Sequence, residues 1–174
     1  VKTRSGRDVR ADAVILATGG ASWPGTGSTG DGYRMVQSVG HTIVPLRPAL
    51  VPLTVRSTAR AKALQGVSLR NVRCTLLTRE EGGKEHPIEP PYPVPATGEM
   101  IFTHFGVSGP LVLTLSLAAV DALRAGQHVW LSIDLKPGMT AEQVHQRLQR
   151  EFEAHAKKHL HNLLHDWVPN ALAE

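Results

Sequence analysis

The stretch "VILATGGASWPGTGSTGDG", residues 14–32, decides how the chain is read. A short apolar run stops at Thr18, and Gly19, Gly20, Gly25, Gly27, Gly30 and Gly32 follow in quick succession. Glycine loses more conformational entropy on folding than any other residue, roughly 0.5–1 kcal/mol against alanine in a regular element. A segment so rich in it is kept for turns with positive φ, or for close approach of the main chain to a flat or anionic ligand. The run before it, "ADAVILATGG", is short, continuous and closed by glycine, the pattern of a fully buried parallel strand over 13–17. The residues after it, "DGYRMVQSVG", read as a helix with Asp31 as N-cap and Gly40 just past its end.

Outward from this stretch, "VKTRSGRDVR" reads as a hairpin around a Ser-Gly turn. A buried parallel strand at 13–17 needs neighbours on both sides, and nothing ahead of it can supply them, so the sequence is expected to be a piece of a longer protein. Past the helix, "HTIVPL" reads as another short strand, and Pro45, Pro48 and Pro52 mark an extended connection. From residue 53 the pattern becomes antiparallel β, in "LTVR", "VSLRNVRCTLLTR" and "GEMIFTHFG", with the turn "REEGGKEH" leading to a short partner strand. The segment "PIEPPYPVPATG" reads as a proline-rich surface loop. A helix is expected over 109–124, capped by Ser108, with Pro110 in its first turn, Leu111, Leu115, Ala118, Ala119 and Leu123 at helical spacing, and Gly126 at its end. "HVWLSIDL" alternates as a strand with Val129, Leu131, Ile133 and Leu135 on one face. Thr140 and Gln143 form a capping box for a helix with the narrow stripe Val144, Leu148, Phe152, and "KHLHNLLHDWV" is a second helical stretch.

Composition bounds the function classes. The chain has 174 residues, 41% hydrophobic and 20% charged, with net charge +4 and a pI near 9.6, which is globular and mildly basic. The basic residues are scattered along the chain with few aromatics among them, so no nucleic-acid partner is expected. No apolar stretch is long enough to span a bilayer and no signal peptide is evident, so no membrane partner is expected and the setting reads as cytoplasmic. Cys74 is the single cysteine, and its alternation with Val72 and Leu76 makes it an inward-facing core residue on a strand.

Three groups of residues could carry chemistry. Gly19 and Gly20 let the main chain approach a ligand, Thr18 can donate a hydroxyl hydrogen bond, and the loop Gly27, Ser28, Thr29, Gly30, Asp31, Gly32 runs into a helix N-terminus that favours an anionic group such as a phosphate. Trp23 in the same loop suits either a place near a ligand or a packing role. In "FTHFGVSGP", His104 is a candidate proton donor or substrate contact, the weak catalytic candidate of the chain, and Ser108 and Gly109 stand at a helix start; a capped turn with a hydrogen-bonded histidine is the simpler reading. His155 with His159 and His161 with His165 have i, i+4 spacing, but without a companion glutamate or cysteine they read as a polar helix face, and no metal site is expected.

The segment from "ADAVILATGG" to "RPALVPLTV", with "GEMIFTHFGVSGP" at 98–110, is similar to the YhiN-type, BaiN-like family of FAD-dependent oxidoreductases, some of which carry an aminoacetone oxidase-like label. The resemblance implies a bacterial flavoprotein with a Rossmann-like FAD domain, a substrate or cap domain inserted after the "GDG" helix, and a return to the FAD domain. The fold class it implies is α+β: residues 1–52 as a partial Rossmann-like FAD-binding segment, then 53–174 as an inserted antiparallel, barrel-like β domain with helices. The intact protein would bind FAD and transfer hydride or electrons on a small-molecule substrate, with NAD(P)H as co-substrate. Thr18, Gly19, Gly20, Gly27, Ser28, Thr29, Gly30, Asp31 and Gly32 would contact the cofactor. The chain lacks a G-x-G-x-x-G turn placed directly after a leading strand and an acidic residue for the adenosine ribose, so alone it is expected to be inactive, with the remainder of its FAD domain as a partner. The alternative is a non-enzymatic binding or oligomerisation module with an anion site at the helix start near Ser108. Substrate identity and oligomeric state stay open.

Overall fold

Long apolar alternation in "VSLRNVRCTLLTR" and the apolar face of "PLVLTLSLAAV" produce one strand and one helix that organise most of the chain. The computed structural model describes residues 1–79 and 83–173. They form two units, Val1–Leu46 and Arg47–Glu174.

In the second unit the strands are β1 (Leu53–Thr54), β2 (Ser68–Arg79), β3 (Glu85–Pro87), β4 (Gly98–Phe102), β5 (Gly106–Ser108) and β6 (Val129–Asp134). The helices are α2 (Thr58–Ala63), α3 (Pro110–Arg124), α4 (Ala141–Ala154), α5 (Leu160–Leu164) and α6 (Asn170–Ala173); α1 (Asp31–Ser38) belongs to the first unit. The strands pair antiparallel, in the order β1-β5-β4-β2-β3 with β6 also on β2. β2 is shared: its first residues pair with β4, and Arg73–Thr78 pair with β6. Between Leu69 and Val72 the register shifts at a bulge where Asn71 takes a φ of 54°, and such a bulge bends the strand and increases its twist. The result is a curled, half-barrel sheet, and the expected α+β, barrel-like domain is the one observed.

The inward residues of β2 are Leu69, Val72, Cys74, Leu76 and Thr78. They pack with Met100, Val107 and the buried face of α3, Leu111, Val112, Leu115, Ala118 and Ala119. Val129, Leu131 and Ile133 of β6 point the same way, as their alternation predicts. Cys74 is the expected core residue; its Sγ lies 3.6 Å from Met100 Sδ, and burial pushes its thiol up to about 11. Leu123 differs from expectation: it is 55% exposed, and Ala122 takes the buried place beside it. The middle of α3 is tied to two distant segments. Ser116 Oγ, fully buried, donates to Leu113 O and accepts from Val51 N at 3.1 Å. The Tyr92 hydroxyl donates to Thr114 O at 3.0 Å and accepts from Ala118 N at 3.1 Å, straddling one rung of the helix. The proline-rich segment is therefore anchored, with Ile88 and Val94 packed on the core, and is more than a surface excursion. The turn expected in "REEGGKEH" lies partly outside the described residues, and its short partner strand is β3. α4 opens with the full capping box: Gln143 N donates to Thr140 Oγ1 at 3.2 Å and Thr140 N donates to Gln143 Oε1 at 2.8 Å.

The first unit departs further from the sequence reading. The N-terminal hairpin is present, with Lys2 bridged to Asp8 and Gly6 at a φ of 79°. The expected buried strand at 13–17 does not form; the segment has no ladder, and Ile15 is 93% exposed. "HTIVPL" likewise carries no strand, and Val44 is 71% exposed. A parallel strand exists only through its neighbours, and the unit contains none for either segment among the described residues. The Rossmann-like character expected for 1–52 is thus not seen in the fold. No helix among the described residues is long and apolar enough to cross a membrane.

Candidate functional site

The glycine loop of the first unit closes on itself. Gly30 N donates to Gly20 O at 3.1 Å, which sets residues 18–20 against residues 28–32. A β-carbon on Gly32 would collide with Thr18 Oγ1, so the buried Gly32 is what lets the Thr18 hydroxyl sit against the start of α1. Ser28 Oγ packs in the same way on Gly19. Gly27 stands apart: it closes the short Pro24–Thr26 turn by donating to Pro24 O at 2.9 Å, and the space where a β-carbon would project is open. The N-cap of α1 is Gly30, at a φ of 77°, and Asp31 is the first helical residue, so the helix starts one residue earlier than expected. Asp31 does not cap the helix. Its carboxylate accepts from Thr29 Oγ1 at 2.8 Å and is paired with the Arg34 guanidinium. Arg34 is missing from the sequence-based candidates, although its i, i+3 spacing from Asp31 signals the pair. Gly40, at a φ of 96°, ends α1 as expected. Trp23 is 69% exposed and projects from the loop.

In the second unit, residues 103–106 form a tight turn between β4 and β5, with Thr103 N donating to Gly106 O and Gly106 N to Thr103 Oγ1. His104 is exposed at its tip and stands edge-on to Phe105, ring centroids 4.8 Å apart. A β-carbon on Gly106 would strike the Leu53 carbonyl, and one on Gly109, at a φ of 98°, would press within 2.8 Å of Met100 Cα. The glycines of "FGVSGP" thus allow β1, β5 and β4 to close over the start of α3. Ser108 differs from expectation: it sits on β5, the N-cap is Gly109, and no side chain caps the helix. His104 precedes β5 and Ser108 ends it, so the strand holds the two residues apart.

The C-terminal histidines form a row, His159–His161 and His161–His165 each 5.8 Å between ring centroids, with His155 Nε2 3.8 Å from Glu151 Oε2. Among the described residues, no three His, Cys, Asp or Glu side chains are placed to hold a metal ion. A small cleft of about 110 Å³ opens between the β2 bulge and the C-terminal helices, lined by Ser68, Leu69, Arg70, Lys136, Trp167 and Pro169. Arg147 covers the Trp167 ring at 4.6 Å.

An antiparallel half-barrel backed by one buried helix, then a helical tail, defines the class of domain. The profile described as "HI0933-like protein barrel and H2TH domain" matches residues 47–174, and the chain belongs to that family. It is similar to a 3-dehydro-bile acid delta(4,6)-reductase of Clostridium scindens, 35% identical over 153 residues, which cover 88% of this chain and 34% of the relative. It is also similar to ribosomal RNA dihydrouridine synthases. That of Escherichia coli is 30% identical over 98% of this chain and 37% of the relative, and that of Haemophilus influenzae is 32% identical over 92% and 34%. The chain spans about a third of the length of these relatives.

Proposed function

We propose that the protein carrying this chain is a flavin-dependent oxidoreductase that reduces a carbon–carbon double bond conjugated to a carbonyl group. The observation that carries this reading is the chemistry shared by the names of two kinds of relative. A 4,6-diene beside an oxidised 3-position and the 5,6-bond of a uracil ring are both double bonds in conjugation with a carbonyl. Reduction adds hydride to the carbon β to the carbonyl and a proton to the α carbon, so one two-electron donor and one acid complete it. FAD, when bound, supplies the hydride chemistry, with NAD(P)H as the proposed source of electrons.

The loop fits such a group on two counts. The charge of Asp31, which would otherwise repel a diphosphate, is already engaged by Arg34 and Thr29. The main chain at Gly27 leaves its outer side open. Under this reading Thr18, Gly19, Gly20 and residues 27–32 hold the cofactor, and the rest of the FAD domain completes the grip. In the second unit His104 holds the proton for the α carbon; it is exposed, with its ring edge-on to Phe105. Residues 53–174 then act as the substrate domain.

The test uses the complete protein. Purified, it is expected to be yellow, to bleach under NADPH or dithionite without oxygen, and to regain colour when an enone is added. A colourless protein that takes up no flavin overturns the reading and leaves the binding-module alternative. A small-molecule substrate is the first reading. The second, a uracil base within RNA, is favoured by the names of two relatives, and recovery of colour with a uridine-containing RNA but not with a steroid enone selects it.

A further inference from the structure

We propose that Arg56, beside the His104–Phe105 turn, and Arg60 and Lys62 on the adjoining helix α2 form a surface that binds the phosphate backbone of single-stranded RNA. The proposal deepens the RNA reading above and rests on it for what becomes of the strand; binding itself is measured without turnover. No Asp or Glu occurs between Asp31 and Glu80, so the chain from Arg47 to Arg79 is basic throughout. Folding answers most of that charge from elsewhere. Arg47 pairs with Asp121 at 2.7 Å, Arg79 with Glu85 at 2.6 Å, Arg70 with Glu99 at 3.8 Å, and Arg73 stands opposite Asp134 across the β2–β6 ladder. Arg56, Arg60 and Lys62 are exposed and have no ion pair among the described residues.

The fold brings aromatic surface next to the first of them, Arg56, and sets the other two on the adjoining helix. Ala61 is buried and fixes α2 against the sheet, leaving Arg60 and Lys62 on its flanks. Val55 N donates to Phe105 O at 3.1 Å, so Arg56 leaves the sheet beside the His104–Phe105 turn. Cations near the end of a helix are favoured by its dipole, which accounts for Arg60 and Lys62, but Arg56 precedes the N-cap Ser57, where that field is unfavourable. A membrane surface fits less well. The exposed non-polar residues of α2 are Ala59 and Ala63, too small to insert among lipid chains. Spaced cations next to partly exposed rings suit a strand whose phosphates and bases both seek contacts.

The test is fluorescence anisotropy of a labelled uridine-rich RNA oligomer with the complete protein, titrated over salt. The triple variant R56Q/R60Q/K62Q is expected to bind at least about tenfold more weakly at moderate salt. Its log–log salt slope should flatten by about 2, at roughly 0.7 for each phosphate that is no longer neutralised. The control R150Q/K157Q/K158Q removes equal charge elsewhere and should bind as wild type. Ala59→Glu, which puts a carboxylate in the first turn where it favours the helix, should weaken binding with the fold intact by circular dichroism. Unchanged affinity and slope in the triple variant and in Ala59→Glu overturn the proposal, as does an equal loss in the control. Equal affinity for the matching DNA oligomer, or for anionic vesicles, overturns the assignment to RNA. Loss of RNA binding with flavin content retained separates this surface from the cofactor site, and a colourless protein that still binds RNA through these residues leaves the surface standing without the reductase reading.

Discussion

Cys74 shows what a single residue's place in the core does. Alternation with Val72 and Leu76 is enough to turn it inward, and the structure places it against Met100. Burial raises its thiol from 9.0 to about 11. The unfolded chain therefore gives up this proton first, and the folded form holds it longer. Stability from this group is complete below about pH 9 and falls away as pH rises toward 11, at about 1.4 kcal/mol per pH unit. Chemical denaturation of wild type and Cys74→Ala between pH 8 and 11 should show that extra decline in wild type alone; parallel curves would remove burial as the cause. Other residues are less legible. Asp31 and Ser108 both look like N-caps, and both yield the position to a glycine with positive φ, Gly30 and Gly109. Capping propensity describes a free choice at a helix end, and here the backbone decides: Gly30 and Gly109 take φ of 77° and 98°, and Gly109 must also pass Met100. The packing roles of these glycines are invisible in sequence because the residues they admit are distant or turned through a loop.

At the scale of elements, alternation locates β2, β4 and β6, and helical spacing with Pro110 and Gly126 locates α3. Thr140 and Gln143 mark α4 because both partners of a capping box are local. The failures are segments whose stability depends on partners elsewhere. Residues 13–17 and 41–46 are apolar enough for strands, yet a strand needs a ladder, and hydropathy does not record whether one is within reach. The bulge in β2 has only a faint signal, the single strand-disfavoured Asn71 within "LRNV". It depends on Asn71 holding a φ of 54°. Asparagine tolerates that conformation and β-branched residues do not. Asn71→Val should cost about 1–2 kcal/mol, and Asn71→Gly should be within a few tenths of wild type, both read from thermal or urea unfolding. Equal destabilisation in the two variants would mean that the side chain, and not the backbone angle, holds the bend.

For the whole molecule, charge is distributed by folding over long separations, which brings acidic residues from later elements back to some cations and not to others. The same folding over long separations attaches the proline-rich segment to α3 through Tyr92. That attachment makes one backbone proton a reporter. The Ala118 N–H lies within the helix and also donates to an oxygen carried by the loop, so its exchange with deuterated solvent should report that added contact, while the amide of Ala119, at the next position, depends on the helix alone. In Tyr92→Phe the Ala118 amide should exchange several-fold faster with its neighbour little changed, a contrast readable by NMR, and equal acceleration at both would show that the phenol braces the entire helix instead.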